Sequence, residues 1–345
     1  MGGPKSLGIR RGWNWLRWLA ALGLLGWLGF SQRTAVLQIA GAPKAWGYLV
    51  LALVTLLITY LITFLRWWVL VRAQRIPFPP REAIRLGFIG LISNFVTPGA
   101  VGGDIVKAFL MGRNQTRRRA VAVATVILDR MLGLLALFLV GALVSLVPSP
   151  VLDHPSLAPV RWLMWIGSGV GLTGLVVMLL PRLSHARLLL SLERLPRLGP
   201  LARELIEGVA LYQSRPGAIW LALGLGLICQ LGLITGFHFC ALWMKQAWTP
   251  DLVSHLFMLP TAQLFAAFMP VPAGTGALEG AMQWFYERVR PDTISSQAAG
   301  AAGFLAALAF RLVTMAIAGL GGGYYLTSRR EISRAMAPPA DPSRP

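Results

Sequence analysis

Two segments of the sequence combine proline, glycine and a carboxylate in the same order within apolar surroundings. The first contains Asn94, Pro98, Gly102, Gly103 and Asp104, and the second contains Pro272, Gly274, Gly276 and Glu279. Proline ends an incoming helix, and glycine lets the backbone turn and approach a ligand closely. The next helix starts with free N–H groups and partial positive charge, an arrangement that binds anions such as phosphate. Both segments are therefore predicted to be anion-binding helix breaks, although the two carboxylates could equally cap the helix starts.

Charged residues inside apolar stretches are a second group that could carry chemistry. Asp129 and Arg130 lie within one stretch, and Arg311 lies within another. A charge inside a bilayer costs at least about 2.5 kcal/mol and marks function or ion pairing. In one interpretation the two arginines bind an anionic headgroup, with Asp104, Asp129 and Glu279 as counter-charges. In the other, Arg130 pairs with either aspartate and Arg311 with Glu279, only to hold the helices together.

Five polar residues have simpler explanations, and Asn94 of the first segment is among them. Lys107 follows the first carboxylate by three residues, which is the spacing of an ordinary helix ion pair. Arg66 is close to the predicted end of a span and is expected to extend to the membrane surface. Asn94 and Gln263 either line a cavity or form packing hydrogen bonds. His238 has no second His or Cys at ligand spacing, so it is predicted to be a packing residue, and neither a metal site nor a cofactor is predicted.

The composition predicts that these stretches lie in a membrane. Of the 345 residues, 56% are apolar and 13% are charged, whereas about a quarter of the residues in soluble domains are charged. A membrane span needs about 20 apolar residues. Spans are predicted at 13–32, 46–71, 120–147, 161–181, 217–244 and 298–327. Trp13, Trp67 and Trp68 are assigned to the membrane–water interface.

Two further apolar segments, about 84–112 and 253–289, are interrupted by the two breaks. Each side of a break has about 12–18 residues, and at 1.5 Å per residue the shorter arms cannot cross about 30 Å of hydrocarbon. Each segment is therefore predicted to be a re-entrant helical hairpin. The predicted fold class is an all-α membrane protein, a polytopic helical bundle of about six full spans and two re-entrant hairpins. Eight tilted spans are the alternative.

The distribution of basic residues predicts the orientation in the membrane. The net charge of +19 comes from short loops between apolar stretches, so no nucleic-acid partner is predicted. Twenty-two Lys and Arg residues lie in the N-terminus, in 72–85, 113–119 and 182–215, and after 327, whereas six lie in the opposite loops. This bias places both termini in the cytoplasm, in a multi-pass protein of the cell membrane.

The order of the predicted elements repeats along the chain. Residues 1–150 contain a span, a span, a hairpin and a span, and residues 151–330 contain the same order. Because three spans is an odd number, the second repeat is inverted relative to the first, as in many secondary transporters. Helices at about 183–215 are predicted to join the repeats on the cytoplasmic surface. Residues 331–345 are predicted to be a disordered tail.

The motifs resemble those of a known membrane family over about residues 15–327. The residues that carry the resemblance are Asn94, Pro98, Gly102, Gly103, Asp104, Asp129, Arg130, Pro272, Gly274, Gly276, Glu279 and Arg311. They are similar to the TM region of lysylphosphatidylglycerol synthases, the flippase part of the multiple peptide resistance factor, which also occurs in stand-alone flippase-like proteins. In that factor the region moves aminoacylated phosphatidylglycerol between leaflets, so the resemblance implies lipid translocation without identifying the lipid. Since the sequence ends at Pro345 without an aminoacyl-transferase domain, lysyl transfer is not expected.

The leading hypothesis from the sequence is a lipid translocase that is not an enzyme. It would move an anionic phospholipid or a lipid-linked headgroup between leaflets, at a midplane site formed by the two breaks, Arg130 and Arg311. Its expected partners are membrane lipids and, as further candidates, lipid-synthesis enzymes. The alternatives are a secondary transporter of a small anion, a membrane-embedded enzyme with Asp104 or Glu279 as general base, and an accessory protein of lipid or glycolipid synthesis.

Overall fold

The computed structural model describes residues 41, 43–96, 102–114, 119–148, 154–180, 207–246, 248–269, 271 and 274–327. The predicted first span, most of the predicted linker, the predicted tail, Pro98 and Pro272 lie outside these residues. Within the described part of the chain, every regular element is a helix. The predicted division into repeats at residue 150 stays a prediction.

Nine helices of at least three turns are present among the described residues. They are α1 (Trp46–Ala73), α2 (Pro80–Val96), α3 (Gly102–Asn114), α4 (Arg119–Val144), α5 (Ala158–Leu179), α6 (Pro216–Trp243), α7 (Leu252–Phe268), α8 (Ala277–Val289) and α9 (Ser296–Thr327). Helices α1, α4, α5, α6 and α9 are long and apolar enough to cross a membrane. They match five of the six predicted spans to within three residues at each end.

Large apolar side chains cover the outside of the bundle. Trp162 and Val170 on α5 are each 69% exposed, and Leu320 on α9 is 68% exposed. Apolar surface of this extent is unfavourable in water but favourable in the hydrocarbon core of a bilayer. The exposed faces of these helices therefore indicate contact with lipid.

Two pairs of shorter helices occupy the places of the predicted hairpins. Helices α2 and α7 have 17 residues each, and α3 and α8 have 13 residues each. Their lengths of about 26 and 20 Å are less than the roughly 30 Å of a hydrocarbon core. Within each pair the two helices, here called arms, pack against each other. The helix ends at Val96 and Gly102, and at Phe268 and Ala277, flank the two predicted breaks, whereas re-entry into the membrane stays a prediction.

The two halves of the bundle pack in a reciprocal way. Helix α1 lies along α6 and joins the halves, α2 packs against α9, and α7 packs against α4. The first arm of each helix pair therefore contacts the last helix of the other half. This exchange agrees with the predicted inverted repeat, which itself stays a prediction, and it brings the two helix pairs to the same central region.

The assignment of Trp67 to the membrane interface is wrong. Its side chain is 1% exposed and donates a hydrogen bond from Nε1 to Oγ1 of Thr125 on α4, at 3.2 Å. Ile76, Phe78 and Val121 pack in the same core cluster, because the end of α1 is covered by the following helices rather than by lipid headgroups. Trp68 is partly buried and donates to the Phe78 carbonyl at 2.9 Å.

Candidate functional site

A cavity of about 350 Å³ lies in the central region, between the two helix pairs. Residues from α1, α2, α3, α4, α6, α7, α8 and α9 line it. Its polar and charged lining consists of Tyr60, Thr63, Arg66, Asn94, Asp104, Lys107, Asp129, Arg130, Gln230, Gln263, Arg311 and Thr314. Charged residues that are far apart in the sequence therefore lie together at this cavity.

Asn94 and Gly103 join the two arms of the first helix pair beside the cavity. The Asn94 Oδ1 atom accepts a hydrogen bond from the Gly103 N–H at 2.7 Å, which satisfies one of the free donors at the start of α3. Gly102 and Gly103 are buried. A Cβ atom at Gly103 would collide with the carbonyl oxygen of Gly90 on α2, so glycine is needed for the close approach of the arms.

Asp104 stands between two cations at the cavity wall. Its carboxylate lies 3.6 Å from Nζ of Lys107, one turn further along α3, and 3.7 Å from Nη1 of Arg130 on α4. The predicted helix ion pair between Lys107 and Asp104 is confirmed, and so is the predicted pairing of Arg130 with an aspartate. Both contacts are longer than a typical charged hydrogen bond of about 2.7–2.9 Å. Asp104 therefore forms only weak ion pairs with Lys107 and Arg130.

Arg66 and Asp129 form a short ion pair that also lines the cavity. The Nε atom of Arg66 lies 2.8 Å from Oδ1 of Asp129, and Nη2 donates to the Asp129 carbonyl at 3.1 Å. Both residues are buried. The expectation that Arg66 extends to the membrane surface is wrong, because its side chain turns inward to the carboxylate on α4. The sequence feature that could have revealed this pair is a positive charge in one apolar span and a negative charge in another.

Arg311 and Glu279 form the most extensively bonded ion pair of the cavity. Arg311 donates from Nε to Oε1 and from Nη2 to Oε2 of Glu279, the second contact measuring 3.0 Å. Arg311 also donates to Oγ1 of Thr275 at 3.1 Å and to the Gly274 carbonyl at 3.3 Å. Glu279 is fully buried behind the cavity wall. The predicted pairing of Arg311 with Glu279 is confirmed.

Glu279 also caps the start of α8, as the sequence allowed. Its Oε2 atom accepts a hydrogen bond from the Gly276 N–H at 2.8 Å. Gly274 and Gly276 have φ angles of 62° and 84°, in the left-handed region that glycine adopts without strain. These two backbone conformations fold the second break so that one carboxylate can cap the helix and pair with Arg311 at the same time.

Two glutamines bridge the long helix α6 and the second helix pair at the cavity. The Nε2 atom of Gln230 donates to Oε1 of Gln263 on α7 at 2.9 Å. Of the two explanations for Gln263, cavity lining and a packing hydrogen bond, the structure shows both. The sequence does not single out Gln230, because one polar residue in an apolar helix does not reveal which face it occupies.

The ten predicted site residues that the structure describes fall into two groups. Five of them line the one cavity: Asn94, Asp104, Asp129, Arg130 and Arg311. Gly102, Gly103, Gly274, Gly276 and Glu279 form the adjoining helix starts and their contacts. Described residues on both sides of the two breaks thus lie at or beside the same cavity. Binding of a substrate by these residues stays a prediction.

The formal charges at the cavity leave an excess of one positive charge. Among the described residues, four cations line it, namely Arg66, Lys107, Arg130 and Arg311, and three carboxylates pair with them, namely Asp104, Asp129 and Glu279. An excess of positive charge among the described residues of a cavity favours an anionic ligand. The arrangement has the charge needed to hold one monoanion.

The fold and the cavity define the protein as a multi-pass α-helical membrane protein with a charged central cavity. Within this class, the chain belongs to the lysylphosphatidylglycerol synthase TM region family, whose model matches residues 14–322. Comparisons with curated proteins and with solved structures give no significant match. The family membership confirms the resemblance inferred from the two helix breaks and the charges inside the spans.

Proposed function

We propose that this protein is a lipid translocase that moves an anionic phospholipid, or a lipid-linked anionic headgroup, between the leaflets of the cell membrane. The observation that supports the proposal best is the convergence of four cations on one cavity between the two helix pairs. The helix starts beside the cavity add N–H groups and positive dipole ends to this field. In this proposal the protein changes the position of the lipid without chemical reaction.

Arg130 and Lys107 are the proposed primary contacts of the headgroup phosphate. The Arg130 side chain is 38% exposed, against 7% for Arg66 and 8% for Arg311. The contacts of Arg130 and Lys107 with Asp104 are also the longest ion-pair distances at the cavity. A phosphate oxygen can therefore approach these two cations without breaking a short buried ion pair. Arg311 contributes to the positive field and holds the second break in place.

The size of the cavity suits a headgroup rather than a whole lipid. Small-molecule sites have volumes of about 300–1,000 Å³, and this cavity has about 350 Å³. The acyl chains would remain in the surrounding bilayer while the headgroup crosses. Movement of one half against the other, with both termini in the cytoplasm, would expose the cavity to each leaflet in turn.

The test is lipid movement in reconstituted vesicles. The wild type, Arg130→Ala or Arg311→Ala is reconstituted in phosphatidylcholine vesicles that carry a trace of fluorescent phosphatidylglycerol in the inner leaflet. An impermeant quencher outside the vesicles reports when the fluorescent lipid reaches the outer leaflet. We expect Arg130→Ala to lower the rate of lipid movement about tenfold to a hundredfold, because the variant loses one charged hydrogen bond to the headgroup. The control is Arg288→Ala, because Arg288 is exposed on α8 and lies over the Trp284 ring. Equal rates in the wild type and both cavity variants would exclude these arginines from transport.

A secondary transporter of a small anion is the second candidate, because the cavity volume also fits a free phosphate-sized ion. Uptake of radiolabelled inorganic phosphate into the same vesicles separates the two functions. Lipid movement that excess phosphate does not inhibit supports the translocase. Phosphate uptake without lipid movement supports the small-anion transporter.

A further inference from the structure

A second polar cluster is buried between α6, α7 and α8, apart from the residues that line the cavity. The Nδ1 atom of His238 on α6 lies 2.8 Å from Nδ1 of His255 on α7, and Nε2 of His255 lies 2.7 Å from the Tyr286 hydroxyl on α8. His255 and Tyr286 are fully buried, whereas His238 is partly exposed. The proposed lipid site uses none of these side chains.

The surroundings of the cluster are apolar except at one end. Phe237 and Trp248 pack against the rings of His255 and Tyr286, and Phe310 of α9 packs against Phe237. Asp251 is exposed, caps α7 through the Ser254 N–H, and acts electrostatically on His238. Among the described residues, the titratable groups that face the cluster are thus the two histidines, the tyrosine and Asp251. The partly exposed His238 and Asp251 mark the side from which a proton can enter.

The hydrogen-bond geometry allows the cluster to exist in two protonation states. Two Nδ1 atoms in contact share one hydrogen. In the neutral state the Tyr286 hydroxyl donates to His255 Nε2, His255 Nδ1–H donates to His238, and the remaining ring hydrogen is on His238 Nε2. One added proton goes to His255 Nε2, and the Tyr286 hydroxyl then turns from donor to acceptor. A second added proton would place two N–H groups face to face, so the pair accepts only one.

The histidine pair lies on the helix interface that leads to the cavity. His238 is eight residues after Gln230 on α6, and His255 is eight residues before Gln263 on α7. At 1.5 Å per residue, the two bridges between these antiparallel helices are about 12 Å apart. An added proton makes the His238–His255 bond charge-assisted, and such bonds are roughly twice as strong as neutral ones. Proton binding therefore holds α7, an arm of the second helix pair, more firmly against α6.

We propose that His238 and His255 form a proton-binding site that couples proton movement to the movement of the anionic lipid. The proposal rests on the proposed function, because the coupled step is the motion of the helix pair that borders the lipid site. One proton carried with one monoanionic lipid leaves the transported charge balanced. Tyr286 acts as a positioning residue that sets which ring nitrogen of His255 carries the hydrogen.

The experiment measures the distribution of lipid under a pH gradient. Vesicles of phosphatidylcholine with fluorescent phosphatidylglycerol contain the wild type, His255→Gln or His238→Gln, and an ionophore holds the membrane potential at zero. With one proton per lipid, one pH unit is expected to shift the steady-state leaflet ratio of the wild type about tenfold. Both glutamine variants are expected to move lipid without this shift. His154→Gln, which changes the histidine before α5, serves as the matched control and should behave as the wild type.

The outcomes separate this proposal from the proposed function. Lipid movement by the wild type with an unchanged leaflet ratio, or a full shift in either glutamine variant, overturns the proton site. Complete absence of lipid movement in the wild type overturns the proposed function and, with it, the coupling. Nitrogen-15 NMR of labelled histidine gives a readout that does not depend on transport. A single proton uptake shared by both rings supports the site, and independent titration of the two rings overturns it.

Discussion

Glu279 accepts two hydrogen bonds from the Arg311 guanidinium and, through one of the same oxygens, a third from the Gly276 N–H. The carboxylate is fully buried. A single side chain therefore neutralises a charge on α9 and caps the start of α8. This arrangement holds the second helix break against the last span of the chain.

Removal of the Glu279 charge should destabilise the protein strongly. Glu279→Gln leaves the buried Arg311 charge without its counter-charge, and such losses cost about 3–5 kcal/mol. The free energy of unfolding in detergent, followed by circular dichroism, measures this effect. Glu287→Gln on the same helix is the control and should change stability by less than about 1 kcal/mol, because glutamine can still accept the bond from Gln283. A loss below 1 kcal/mol for Glu279→Gln would contradict the assigned role of the pair.

The two arginines that pair with aspartates should differ in their effects on stability. Arg66→Gln removes the short buried contact to Asp129 and should cost about 3–5 kcal/mol. The Arg130 side chain is 38% exposed, and ion pairs in contact with solvent contribute less, so Arg130→Gln should cost clearly less than Arg66→Gln. Unfolding in detergent compares both variants with the wild type. Equal losses would mean that Arg130 is as structural as Arg66, which would weaken its proposed role in binding.

Substitution of Gly103 should disturb the first helix pair. In Gly103→Ala the new Cβ atom meets the Gly90 carbonyl, a backbone group that cannot rotate away. We expect a loss of about 1–3 kcal/mol, as for other overpacked sites, and slower lipid movement. Gly174→Ala on α5 is the control, because no atom lies within 4 Å of its Cβ position. That change should be neutral or stabilising by up to about 1 kcal/mol. Similar stability of both variants would show that the arms separate without cost.

A negative charge introduced at the cavity should weaken anion transport without unfolding the protein. Asn94→Asp keeps the acceptor for the Gly103 N–H, and Gln263→Glu keeps the acceptor for Gln230. Each variant cancels the excess positive charge of the cavity, so movement of fluorescent phosphatidylglycerol should slow about tenfold or more. Thermal unfolding serves as the check that the fold is retained. Unchanged transport in both variants, with the fold intact, would contradict the electrostatic basis of the site.

Much of the architecture was predictable from local chemistry. Length and hydropathy located five spans to within three residues, because hydrocarbon thickness dictates the length of a spanning helix. The proline and glycine positions located both helix breaks, since these residues act on the backbone at their own place in the chain. The same reasoning placed Asp104 and Glu279 at the starts of helices, and they are the third residues of α3 and α8.

The partners of the charges depended on the tertiary structure. Asp129 could pair with Arg130 next to it, but the helix periodicity turns it toward Arg66, 63 residues earlier in the chain. Tryptophan is enriched at membrane interfaces, yet the following helices cover Trp67. His238 meets its second histidine only because α6 and α7 run side by side. The sequence determined which polar and charged residues are costly to leave unpaired in lipid. The packing of helices from distant segments decided which groups pair with them, because a side chain contacts the helix against which its own face packs.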